Sequence, residues 1–150
     1  MSTVRKRLED AGFLLPPPPA PNGLYRSVIL HGGFAFVSGQ LSRFEGGVIE
    51  GPIEGLAEDQ AAFAARAAAL RALAALDDAL GSLDRITNVI RMTGFVHAGP
   101  GFRGHSLIID HASELLRIGF LEKGEHARSA IGVSSLPSGG CVELELTVAF

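Results

Sequence analysis

The chain has 150 residues, of which 47% are hydrophobic and 19% charged, with a formal net charge of -3. That balance fits one folded domain with a real core and excludes a disordered chain. It also argues against a nucleic-acid binder, because no basic surplus is present to neutralise phosphates. A single cysteine, Cys141, excludes an internal disulfide and suits a reducing, cytoplasmic setting.

The first 24 residues read as a short helix over Thr3–Ala11 followed by an arm. The segment Met1–Asp10 is charged and has no apolar run, so it does not read as a secretion signal. Pro16–Pro19 and Pro21 impose an extended conformation poor in backbone donors, as expected of a stiff spacer laid over a surface. Tyr25–Leu30 and Phe34–Leu41 read as strands joined by the turn residues His31-Gly32-Gly33, and Val48–Ile53 as a weaker third strand. Glu54–Leu80 is the clearest helix. Leu56, Phe63 and Leu70 repeat at seven-residue steps among many alanines, and Gly81 follows as a stop. It carries Arg66 and Arg71 and is not apolar enough to span a bilayer.

Ile86–His97 reads as a long strand, His105–Phe120 as a second long helix, and Ala127–Leu136 as a strand closed by Pro137-Ser138-Gly139-Gly140. In the last strand, Cys141–Phe150, Val142, Leu144, Leu146 and Val148 alternate with Glu143, Glu145, Thr147 and Ala149. The order β-β-β-α-β-α-β-β predicts an α+β domain: a mixed sheet of about six strands with two helices on one face. No segment is left to cover the other face, which predicts an oligomer.

Several motif matches lose their force in context. Gly99-Pro100-Gly101-Phe102-Arg103-Gly104 fits G-x-G-x-x-G, but the βαβαβ repeat of a dinucleotide fold is missing and Pro100 removes a donor. No histidine pair has the i, i+4 spacing of a zinc helix, so neither a metal nor another cofactor is expected. Cys141 reads as a packing residue rather than a nucleophile. Two features remain. Arg128 opens a strand of small and apolar residues, where a guanidinium can grip a carboxylate through two parallel hydrogen bonds or pair with a surface Glu. Glu143 and Glu145 project from one face of the last strand, about 6–7 Å apart.

Four segments in register resemble the reactive intermediate deaminase (Rid, or YjgF/L-PSP) family. These are Phe36-Val37-Ser38-Gly39-Gln40-Leu41, Ala127-Arg128-Ser129-Ala130, Leu136-Pro137 and Val142-Glu143-Leu144-Glu145. They span nearly the whole chain from Tyr25 onward. The Pro-rich arm, Gly81–Asp84, Thr93–Val96, Ala112–Leu115 and His126–Ser129 resemble a less studied branch called endoribonuclease L-PSP-like. The resemblance implies a chorismate-mutase-like fold, with three subunits packing their sheets into a central barrel and ligand sites in the clefts between them. It implies hydrolysis of short-lived enamines and imines to 2-oxo acids and ammonia. Arg128 would hold the substrate carboxylate, and Ser38, Gly39 and Tyr25 would line the cleft. Glu143 would position or deprotonate the attacking water. A non-catalytic trimer binding small carboxylates through Arg128 is the alternative, with the ribonuclease activity of the inherited label a third. Two departures stand out. Ala130 replaces the cysteine of better-known members, removing oxidative or chlorinative switching there. The loop before the second helix is altered around Asp110 and His111.

Overall fold

The computed structural model describes residues 2–150, which include the whole of the expected Thr3–Ala11 helix. Helix α1 (Thr3–Asp10) is followed by the extended arm and then by strands β1 (Val28–His31) and β2 (Phe34–Leu41). A short ribbon, β3 (Arg43–Phe44) with β4 (Gly47–Val48), leads to helix α2 (Glu58–Leu80). Strand β5 (Asn88–His97), helix α3 (His105–Phe120), β6 (Ala127–Val133) and β7 (Val142–Ala149) complete the chain. The main sheet has five strands in the order β1-β2-β7-β5-β6. Only β5 and β6 run parallel.

The local chemistry explains these boundaries. The β1–β2 turn works because Gly32 and Gly33 both take left-handed φ, +59° and +80°. The expected Val48–Ile53 strand contributes only Val48 to the two-strand ribbon, and Ile53 instead enters a 3-10 turn and is buried in the core. The sheet therefore has five strands rather than about six. Helix α2 starts four residues later than its pattern suggests. The Gln60 side chain accepts from the Ala57 N–H at 3.0 Å and fixes the start there. Its end at Gly81 is left-handed, φ +79°.

Ala61, Ala64, Ala68, Ala72 and Ala75 of α2 are buried in the core, where small side chains bring the helix close to the sheet. α3 packs beside α2, and Gly94 of β5 leaves room for it; a Cβ there would sit 2.6 Å from Ile109 Cδ1. α1 is a third helix, stacked on α3 through Val4 and Leu8. Its first turn is held by Asp84, which accepts from Thr3 N, Val4 N and Ser2 Oγ at 2.7, 2.9 and 2.7 Å. Those bonds, the one to Val4 foremost, hold the Asp84 carboxyl below its ordinary range.

The alternating face of β7 behaves as read: Val142, Leu144, Leu146 and Val148 are buried under the helices. Among the described residues, no helix covers the other sheet face. Ile29, Phe34, Phe36 and Ile131 are 48, 40, 46 and 45% exposed on it. Among the described residues, no helix is long and apolar enough to cross a membrane.

Candidate functional site

β1 stops pairing with β2 at Val28–Val37. The next β2 residues shift register against β7 between Val37 and Gln40, so Ser38 and Gly39 form a bulge. Ser38 closes the chain around this point. Its N–H donates to Ser27 O at 2.9 Å, and its hydroxyl donates to Arg26 O at 2.6 Å. Those bonds tie Arg26 and Ser27 to the bulge rather than to a regular ladder, and β1 begins at Val28 and not at Tyr25. A cleft of about 600 Å³ opens beside the bulge, walled by Tyr25, Gly39, Gln40, Arg43, Arg71 and Glu143.

Glu143 stands at the start of β7, opposite Leu41 of β2 and Phe95 of β5, on the helix-free face of the sheet. A Cβ at position 39 would overlap its carboxylate, so the bare backbone of Gly39 is what makes room for it. Partial burial pushes the Glu143 carboxyl above its ordinary range, and the nearby Glu145 pushes it further. Such a group exchanges protons closer to neutrality than a solvated carboxylate. Tyr25 is half exposed, and its hydroxyl accepts from Asn22 N–H at 3.2 Å.

Arg128 lies elsewhere. It pairs with buried Met92 across β5 and β6, and its side chain runs toward α3. Nη1 donates to Asp110 Oδ1 at 2.7 Å and to Ser113 Oγ at 3.0 Å. Nη2 reaches Ser106 Oγ at 3.1 Å and Ser106 O at 3.4 Å. His126 extends the network: Nδ1 lies 2.6 Å from Gly124 O and Nε2 lies 2.9 Å from Ser113 Oγ. A carbonyl only accepts, so Nδ1 carries a proton, and in the neutral imidazole Nε2 then accepts from the Ser113 hydroxyl. The Ser113 oxygen is then turned to accept from Arg128. Within one chain, Tyr25, Gly39 and Glu143 thus share a cleft, with Ser38 bracing its rim. Arg128 sits on the opposite face of the sheet.

Sequence reasoning missed Arg43, Arg71 and the Ser113–His126 link. Arg71 had a signal: it interrupts the alanine-rich run of α2, where an apolar residue would continue the buried stripe. In the glycine motif at 99–104 the first amide, Gly99 N–H, donates to Glu54 Oε1 at 2.6 Å. Cys141 is fully buried, and burial pushes its thiol up to about 12. Among the described residues, no three His, Cys, Asp or Glu side chains gather as a metal site.

Protein TCP17 of Trypanosoma cruzi is 37% identical over 148 residues, covering 97% of this chain and 92% of that protein. The crystal structure of Atu1372 from Agrobacterium tumefaciens, a protein of unknown function, is 34% identical. It superimposes with a TM-score of 0.91 over 99% of this chain and 93% of that one. RidA from the Antarctic bacterium Psychrobacter sp. PAMC 21119 shares the fold at 21% identity, with a TM-score of 0.60 over 89% of this chain and 94% of its own. Residues 17–150 match the family described as Endoribonuclease L-PSP. The chain belongs to that family, the YjgF/Rid group whose segments its strands carry.

Proposed function

We propose that this protein hydrolyses short-lived 2-imino and enamine acids to 2-oxo acids and ammonia, working as a trimer with its sites between subunits. The observation that carries this reading is Glu143: a partly desolvated carboxyl, set against the bare backbone of Gly39 in a cleft capped by Tyr25. In the reaction, an enamine first takes a proton on carbon to become the iminium ion. Water then adds to the C=N carbon as Glu143 accepts its proton, and Glu143 passes that proton to the amine nitrogen of the adduct. Collapse of the adduct breaks the C–N bond, releasing ammonia and leaving the 2-oxo acid. Each turnover consumes one water.

The substrate carboxylate needs a fixed grip, since orientation lowers such barriers by several kcal/mol. Arg128 is assigned that role. Because it faces away from Glu143 within one chain, the joint site takes Arg128 from a neighbouring copy. The exposed face carrying Ile29, Phe34, Phe36 and Ile131 supports such an assembly, because an uncovered apolar sheet face favours burial against a partner.

A second reading is a non-catalytic trimer that binds small carboxylates through the same Arg128. In either reading a ligand carboxylate must displace or share the oxygens of its own chain that engage both terminal nitrogens of Arg128, the Asp110 carboxylate among them. The ribonuclease sense of the family description finds less support, since a net charge of -3 offers no basic stripe for RNA.

The test generates 2-iminopropanoate and its four-carbon homologue in situ with a coupled dehydratase or oxidase and traps the survivor with semicarbazide. Faster clearance by the wild type, lost in Arg128→Ala and Glu143→Ala, is the expected result. No acceleration by the wild type, with Arg128-dependent binding of 2-oxo acids, would replace catalysis with the binding reading.

A further inference from the structure

The cleft that holds Glu143 also contains two guanidinium groups that no carboxylate among the described residues pairs with. Arg71 projects from α2, where its neighbours Leu70 and Ala72 belong to the packed helix surface. Its Nε is shut off from solvent and has no hydrogen-bond partner among the described residues. Arg43 enters the same cleft from the β3–β4 ribbon and donates Nη2 to Ser138 Oγ at 3.1 Å. Neither guanidinium has a carboxylate within 4.0 Å among the described residues, whereas Arg5 has two and Arg66, Arg117 and Arg128 have one each.

Two like charges held in one partly dry cleft oppose each other. Burial, and then the charge of Arg43, lower the proton affinity of Arg71, while Tyr25 acts the other way. Glu143 lines the same cleft but lies beyond ion-pair reach of both. The rest of the wall is neutral, formed by residues such as Asn22, Ser27, Leu41 and Pro137. The terminal nitrogens of Arg71 also have no hydrogen-bond partner among the described residues, and they, rather than the enclosed Nε, are what a ligand can reach. Paired guanidiniums complete themselves best on a carboxylate, whose two oxygens match the planar fork.

We infer that Arg71 and Arg43 form a carboxylate subsite in the Glu143 cleft, so that the ligand of this site is a small dicarboxylic 2-imino or 2-oxo acid. This rests on the reading above in one respect: Arg128 of a neighbouring copy takes the carboxylate next to the reacting carbon. The Arg71–Arg43 pair takes the one at the far end. The pair is a binding and specificity element, and Glu143 keeps the proton transfer.

The experiment is calorimetric titration of the full chain with 2-oxoglutarate, with the monocarboxylate 2-oxopentanoate, and with inorganic phosphate. The wild type should hold the dicarboxylate about tenfold or more tighter than the equally long monocarboxylate. In Arg71→Met and Arg43→Gln that gap should close. Equal affinity for both acids in the wild type, or a gap that survives both substitutions, would overturn the inference. So would phosphate bound through Arg71 and Arg43 while the dicarboxylate shows no advantage. Arg43→Gln carries the test if Arg71→Met fails to fold. Turnover is not measured, so an inactive protein can still pass. Arg128-dependent binding of both acids with no preference would sink this inference and leave the other reading standing.

Discussion

Arg128 and Arg71 are both partly buried arginines, yet their surroundings are opposites. Arg128 donates to Asp110, Ser113 and Ser106 of its own chain, and His126 sets the Ser113 hydroxyl in place. Arg71 shares its cleft with a second guanidinium and keeps an Nε with nothing to bond. The first arginine is held by the fold and must yield something to take a ligand. The second has no carboxylate of its own chain within ion-pair reach, which leaves its terminal nitrogens for a ligand. A motif identifies the residue type at a position, but the partners decide whether its charge is free to act.

The contrast can be broken or sharpened in four ways. The largest effect belongs to Glu143: Glu143→Gln should slow imine clearance by about 100-fold or more, read by the semicarbazide trap. Clearance at the wild-type rate would remove Glu143 from the chemistry. Next, Asp110→Ala removes the carboxylate that competes for Arg128. Affinity for a 2-oxo monocarboxylate should rise about tenfold by calorimetry. A fall instead would make Asp110 an orienting partner. Third, Arg71→Met removes a buried, unbonded donor and keeps an apolar stem. Denaturant unfolding without ligand should show a gain of about 1 kcal/mol. A loss would mean that Arg71 holds the fold together.

The smallest effect is the pH dependence set by Glu143. Its folded-state carboxyl lies above the ordinary range, so the folded protein binds its proton more readily than the unfolded chain. That contribution is therefore greatest at acid pH and is lost as pH rises through the raised value. Glu143→Gln should be slightly more stable than the wild type at pH 7, with the gap closing on acidification. A gap that widens toward acid, in melts across the pH range, would reverse the sign.

Much of this was legible because short-range patterns decided it. The two-residue period of Val142–Ala149, the His31-Gly32-Gly33 turn and the alanine run of α2 each fix an element locally. Their sum also left one sheet face without cover. The third strand misread because Val48 and Ile53 are apolar for different reasons, one in a two-residue ribbon and the other in the core. In the cleft, Tyr25, Gly39 and Glu143 were found through the family's segments. The partners of Arg128 were not, because Asp110 lies 18 residues away on a helix and no spacing rule links them. Arg71 was seen only as a charge that breaks an apolar run.

The proline-rich arm carries a consequence beyond its stiffness. It leaves α1, which Asp84 and the Arg7–Gly119 bond of 2.6 Å pin in place, and runs along α2 with Leu15, Pro16, Pro17 and Pro18 near Ala74 and Asp78. It is caught again where Ser27 Oγ donates to Pro19 O at 3.1 Å. Between those anchors it supplies Ala20, Pro21 and Asn22 to the cleft wall without belonging to any strand ladder. A wall of that kind can gain or lose a residue without shifting the register of the sheet. Ligand size can therefore drift between lineages through this arm alone, while the scaffold that holds Glu143 stays fixed.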